Sequence, residues 1–245
     1  MTTGLPPEED RAQAGTAPAE PDEWSEWLNA GRDGGDAQQR ISAMEMLASV
    51  RDRVLAGAGP LGGKALLDIG CGEGLIGVGA IEVVGSTGAV VFSDISAPLL
   101  EQVERTVQEK GLTDRASYVQ AAAPDLELIP NESVDVVTTR SVLIYVDDKA
   151  AAFREMFRVL RPGGRISLFE PVNRPMYPEP EDRFRGYEIS DVRELADEVK
   201  RVAQGIATDV NAAMVNFDER DLLRLAASAG FEPIDVLMQL SFGPD

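Results

Sequence analysis

The chain is 245 residues long, with 42 acidic against 23 basic side chains and a formal charge of −19 at pH 7. That length suits one α/β domain with additions, large enough to bury a core without cross-links. The charge argues against a nucleic-acid partner, since phosphate contacts demand clustered Lys and Arg. A single cysteine, Cys71, and the absence of histidine exclude an intrachain disulfide and a cysteine-built zinc site, so no metal is expected.

Residues 1–21 are rich in Pro, Ala, Gly and acids and carry almost no large apolar side chain, which predicts a disordered acidic tail. Neither a basic leader nor a long apolar run is present, so a cytoplasmic protein with no membrane partner is expected. Residues 22–60 read as an N-terminal helical cap. Trp24, Trp27 and Leu28 open an amphipathic segment, and a helix from about Gln38 to Leu55 follows, with Ile41, Met44, Leu47, Ala48, Val54 and Leu55 on one face. The two tryptophans either cover the mouth of a site or fill the underside of that helix, and the sequence leaves both readings open.

From Lys64 onward, within a domain of residues 61–245, strands and helices alternate, which implies a parallel sheet with right-handed crossovers. An apolar strand runs through Leu66-Leu67-Asp68-Ile69 into the turn Gly70-Cys71-Gly72-Glu73-Gly74. The spacing is G-x-G-x-G, and Leu75 occupies the position where a dinucleotide fingerprint wants its third glycine. A second strand, Ala89 to Ser93, ends in Asp94. Helices are expected at Pro98–Lys110 and around Phe153, Met156, Phe157 and Leu160, and strands at Ala116–Ala121 and Ser133–Thr139. The turn Leu160-Arg161-Pro162-Gly163-Gly164-Arg165 precedes a fifth strand, Ile166–Glu170. Residues 171–217 form an insertion with a Pro-rich, aromatic opening and a helix from Ser190 to about Gln204, whose apolar face, Val192, Leu195, Ala196, Val199 and Val202, is expected to be buried. Loops at the carboxyl ends of such strands form the ligand crevice, so this insertion is expected to be a substrate lid. Asp218 and Gly230 bracket a last helix, and a sixth strand is expected at Pro233–Leu240.

The glycine turn, the acidic end of the second strand and the Leu-Arg-Pro-Gly-Gly turn together resemble the class I S-adenosylmethionine-dependent methyltransferases, over roughly Lys64 to Gln239. The resemblance implies a Rossmann-like doubly wound sheet, mostly parallel, with helices on both faces. It implies S-adenosylmethionine as cofactor and a small-molecule acceptor. By the same resemblance Gly70, Cys71, Gly72 and Gly74 line the cofactor's amino-acid and ribose part, Asp94 accepts from the ribose hydroxyls, and Ile95 packs on the adenine. Asp68 orients the loop. Relatives carry an acid after the third strand; here Ala123 stands in that slot, so backbone contacts from Ala122 or Ala123, or the Asp125 carboxylate, are expected instead. Arg140 offers its backbone carbonyl to the cofactor ammonium, or its side chain is a surface charge.

Methyl transfer from a sulfonium is an in-line displacement that needs alignment and exclusion of water more than acid or base. Tyr145 and Glu170 are the catalytic candidates: a phenol to orient or deprotonate the nucleophile, and a carboxylate facing the crevice. Simple aromatic packing is the alternative for Tyr145. Asp147 and Asp148 suit a helix start. Arg174, Tyr177 and Tyr187 in the lid are candidates for acceptor recognition. The competing functions are an S-adenosylmethionine-binding protein without methyl transfer, and a nicotinamide oxidoreductase, which Leu75 disfavours. Thiol-dependent arsenite methylation does not suit a chain with one cysteine. Family members finish with a seventh strand, and only five residues follow the expected sixth. A shortened chain is the favoured reading; the alternatives are a sixth strand paired directly with the fifth, and an exposed sheet edge that recruits a second subunit, giving a homodimer.

Overall fold

The computed structural model describes residues 19–31, 37–173, 183–184, 187–206 and 211–238. The expected tail up to residue 18, the side chains of Ile41, Met44 and Val202, and Arg174, Tyr177 and the Tyr187 side chain lie outside the described residues. Five strands form one parallel sheet in the order β3-β2-β1-β4-β5: β1 Ala65–Ile69, β2 Ala89–Asp94, β3 Ala116–Gln120, β4 Val134–Arg140 and β5 Leu160–Phe169. The order reverses between β1 and β4, which is where such sheets open a crevice at their carboxyl ends.

The apolar runs of β1, β2 and β4 are buried on both faces, as a covered parallel sheet requires. Leu66, Val90, Phe92, Val103 and Val107 pack on one side of the sheet, and Leu67, Val137, Phe153, Met156 and Val159 on the other. The covering helices are α2 (Ala37–Gly57), α3 (Leu75–Val83), α4 (Ala97–Glu109), α5 (Lys149–Val159) and α8 (Glu219–Ala229); the short α1 (Glu23–Glu26) and α7 (Asn211–Val215) and the insertion helix α6 (Arg193–Ile206) complete the described set. Caps set several of their starts. Ser96 and Asp148 accept from the backbones of Leu99 and Ala151, and Asp218 forms a capping box with Asp221. Gly230, with φ of 107°, ends α8 in the left-handed conformation.

In β5 the pairing runs from Val134↔Leu160 to Val136↔Arg165, so Arg161 to Gly164 are looped out. Arg161 folds back on this excursion and donates to Asp135 at 3.0 Å.

Three expectations are corrected. Among the described residues no strand follows α8: residues 233–238 have no regular structure, and Ile234, Val236, Leu237 and Met238 are exposed, because no described neighbour offers a backbone ladder. The periodic face of the insertion helix is mostly unburied; Ala196 is covered, whereas Val192, Leu195 and Val199 are exposed. Phe157 is half-exposed and touches Phe231 edge-on rather than filling the core.

Candidate functional site

The carboxyl ends of β1, β2 and β4 surround a cavity of about 1220 Å³. Its floor is the turn after β1. Gly72 has φ of 52°, and a Cβ built there meets only Leu28 Cδ1 at 3.4 Å, so its open face is the cavity. The other two glycines serve packing. A Cβ on Gly70 would strike Val142, and one on Gly74 would lie 2.7 Å from Val78 and 3.2 Å from Val103. Gly74 caps α3 and does not line the cavity, whereas Gly70, Cys71 and Gly72 do.

Asp94 closes β2 and ties the floor to the next helix. One carboxylate oxygen accepts from Gly72 N–H at 2.8 Å and the other from Ser96 N–H at 3.0 Å. Burial holds its pKa above the usual carboxylate range, against these bonds. A carboxylate offers about four acceptor directions; the backbones of Gly72, Ser96 and Ile95 engage it, and both oxygens keep capacity toward the cavity for a ligand's hydroxyls. Ile95, half-exposed, and Ala122 and Ala123 line the same end of the cavity. Asp125 does not, because a tight turn in which its N–H donates to Ala122 C=O carries it away. This end, with its exposed backbone, diol-ready carboxylate and flat apolar rim, fits an adenosine group.

Asp68 lines the cavity beneath the turn but does not hold the turn's glycines. Its carboxylate accepts from Gly77 N–H and Thr138 Oγ, both buried, and so pins α3 and β4 to β1. Desolvation pushes its pKa up to about 7. Cys71 is buried, and burial raises its thiol pKa, so it stays an uncharged small side chain.

Opposite the floor, the loop after β4 forms the second wall through Arg140, Ser141, Val142, Ile144, Tyr145 and Val146. Ser141 takes φ of 55° there. The expectation that Glu170 faces the crevice is corrected. Its carboxylate turns into the loop and accepts from the N–H groups of Val142 at 2.9 Å, Leu143 at 3.0 Å and Ile144 at 3.1 Å. Those three amides lead a tight 3-10 turn and have no other partner at hand, so the buried carboxylate supplies one. Desolvation raises the Glu170 pKa to about 7 against them.

Tyr145 does line the cavity, and burial raises its phenol pKa. Asp147 and Asp148 also reach the cavity, Asp148 while capping α5. Of the insertion, Pro171 alone among the described residues lines the cavity.

The cap supplies the roof. Trp24, Trp27, Leu28 and Asn29 line the cavity together with Leu47, Ala48 and Arg51 of α2, which favours the covering role for the tryptophans. Sequence reading missed Ser96, whose place before Ala97-Pro98-Leu99 is an N-cap signal, and Lys149, which no motif marks. Buried Lys149 donates to the carbonyls of Val146 and Ala213 and to Asn216, and lies 4.5 Å over the Phe217 ring. Among the described residues there is no acidic, cysteine or histidine group able to hold a metal, and no helix long and apolar enough to cross a membrane.

Comparison with known proteins bears directly on this site. The chain is 29% identical over 172 residues to the ubiquinone/menaquinone biosynthesis C-methyltransferase UbiE of Yersinia pestis (strain Pestoides F), an alignment covering 70% of this chain and 68% of that protein. Its fold matches geranyl diphosphate methyltransferase solved with its cofactor, with a TM-score of 0.57 at 22% identity over 82% of this chain and 73% of that one. It equally matches the [4+2]-cyclase SpnF, with a TM-score of 0.57 at 22% identity, covering 83% of this chain and 62% of the cyclase. The sequence profile of the ubiE/COQ5 methyltransferase family matches residues 36–235. The chain therefore belongs to the ubiE/COQ5 methyltransferase family, and S-adenosylmethionine is its cofactor.

Proposed function

We propose that the protein is a C-methyltransferase that alkylates a ring carbon of a hydroxylated aromatic acceptor of the quinol type, in line with its Yersinia relative, which is named a C-methyltransferase of ubiquinone and menaquinone biosynthesis. The observation that carries this reading is the wall beyond the cofactor floor, where Trp24, Val142, Ile144, Tyr145, Val146 and Pro171 give an aromatic and aliphatic slot suited to a flat ring.

The cofactor supplies an electrophilic methyl group on sulfur. The chain's residues do the positioning: Gly72 leaves room for the cofactor's amino-acid and ribose part, with Gly70 and Cys71 beside it. Asp94 accepts from the ribose hydroxyls, and Ile95, Ala122 and Ala123 border the adenine. The Arg140 backbone faces the amino-acid end. Trp24, Trp27 and Leu28 keep water from the reacting atoms. Tyr145, a phenol already protonated near neutral pH and pushed further above its ordinary value by burial, donates a hydrogen bond to an acceptor oxygen rather than removing a proton. Glu170 acts through the loop, fixing where Tyr145 stands. The acidic chain with one cysteine supports a cytoplasmic setting without nucleic acid, and the outer edge of β5, unpaired among the described residues, supports a homodimer, which light scattering checks.

Incubation with trideuteromethyl-labelled cofactor and a naphthoquinol lacking its ring methyl, followed by mass spectrometry, tests the acceptor. Label on a ring carbon together with S-adenosylhomocysteine is expected. Label on oxygen, or none on the ring despite cofactor binding, removes the reading.

A further inference from the structure

The segment from Ala19 to Asn29 crosses the mouth of the cavity and is tied down on both banks. On the β2 side, the Ala19 N–H donates to the Glu101 carboxylate at 3.0 Å, and the Asp22 carboxylate accepts from Ser96 Oγ at 2.9 Å. Ser96 gives its backbone N–H to Asp94, so one residue joins the segment to the carboxylate beneath it. On the β4 side, Trp24 meets Tyr145 edge-on, with ring centroids 5.0 Å apart and planes at 72°. Between the banks Leu28 lies over Gly72, within 3.4 Å of where a Cβ there would stand.

Asp22 itself does not line the cavity. Its carboxylate bonds the backbones of Trp24 and Ser25, the latter in a reciprocal capping box, and the Ser96 hydroxyl. These bonds hold the segment in place, and its negative charge adds a little to the rise in the Asp94 pKa. A ligand seated in the cavity against Gly72 and Asp94 lies beside Leu28 and beneath the two tryptophans.

We propose that residues 19–29 are a strap that must lift for the cofactor to enter or leave, with Asp22–Ser96 as its latch and Trp24–Tyr145 as its clasp. The proposal rests on the placement of the cofactor at Gly72 and Asp94. Because the clasp residue Tyr145 also stands on the acceptor wall, closing the strap over the cofactor sets that wall for the acceptor. Asp22 is thus a positioning residue for a site it never touches.

A gate and a contact leave different kinetic signatures. Loss of a contact speeds dissociation and leaves association nearly unchanged. Loss of a latch speeds both. Trp24 and Trp27 are the chain's 2 tryptophans and both line the cavity, so their emission reports the strap directly.

Stopped-flow tryptophan fluorescence with S-adenosylhomocysteine, on the wild type and on Asp22→Ala, reads both rate constants. Both are expected to rise about tenfold in the variant, the effect of one charge-assisted hydrogen bond, while the equilibrium constant moves by no more than about threefold. Trp24→Ala, read through Trp27, is expected to raise both rate constants as well, with Trp24→Phe restoring slow exchange because the edge contact is kept. Asp22→Ala accelerating dissociation alone, or neither rate, overturns the strap while leaving the cofactor site standing. Failure of the wild type to bind S-adenosylhomocysteine by calorimetry overturns both.

Discussion

At the scale of single residues, Asp94 does two jobs with one carboxylate: it satisfies Gly72 and Ser96 N–H groups and keeps acceptor directions toward the cavity. Removing it in Asp94→Ala takes a charged acceptor from the ribose, a loss of about 1.5 to 3 kcal/mol. Calorimetry should show S-adenosylhomocysteine binding at least about tenfold weaker, and unchanged affinity in the folded variant contradicts the assignment. Cys71→Ser is expected to leave binding and turnover within about twofold, since the thiol is a buried, uncharged filler; complete loss of turnover in a kinetic assay points to thiol chemistry instead. Which residues belong to the glycine turn was legible in the sequence, but not what each one faces. Gly70 is kept small by Val142, from a loop far along the chain, and Gly74 by Val78 of its own helix as well as by Val103 of the next. Glu170 was legible as a carboxylate at a strand end, yet strand alternation does not say that three amides of another loop stand within reach.

At the scale of elements, the loop after β4 is held from both ends, by Glu170 at residues 142–144 and by Lys149 at Val146. Lys149 also grips Ala213 and Asn216, so it fastens the far stem of the insertion to the acceptor wall. Replacing it by Met leaves these acceptors unpaired in a buried site, and a destabilisation of about 1–3 kcal/mol is expected from urea unfolding. A midpoint equal to the wild type's contradicts the contact. Helices and strands were mostly legible, because caps such as Asp218 and period-two or continuous apolar runs are local signals. The insertion helix shows the limit of that reading. Its stripe of Val192, Leu195, Ala196 and Val199 is periodic, but periodicity names a face and not the surface that covers it. The expected sixth strand failed for a related reason, since β propensity at 234–238 forms no ladder without a neighbour.

Across the whole molecule, two buried carboxyls couple stability to pH. Desolvation raises Asp68 and Glu170 from their ordinary values of 3.8 and 4.5 to about 7. Between those limits the native state holds protons that the unfolded chain has released, so their contribution to stability falls as pH rises through that window. Glu170→Gln removes one of the two groups and is expected to flatten the decline measured by urea unfolding between about pH 4.5 and 7; a slope as steep as the wild type's contradicts the account. Fold class and cofactor were legible because several motifs in fixed order demand one sheet and one crevice. The roof over that crevice was ambiguous, because it depends on contacts between Asp22 and Ser96 and between Trp24 and Tyr145 that no local pattern encodes.

The central claim is that the cofactor lies against Gly72 and Asp94 beneath the tryptophan-bearing roof. A crystal structure of the complex with S-adenosylhomocysteine tests it most directly. The account predicts both ribose hydroxyls within hydrogen-bond distance of the Asp94 carboxylate, the adenine against Ile95, Ala122 and Ala123, and the sulfur turned toward Tyr145. A ribose bound away from Asp94, or an adenine seated among Val142, Ile144 and Tyr145, contradicts it.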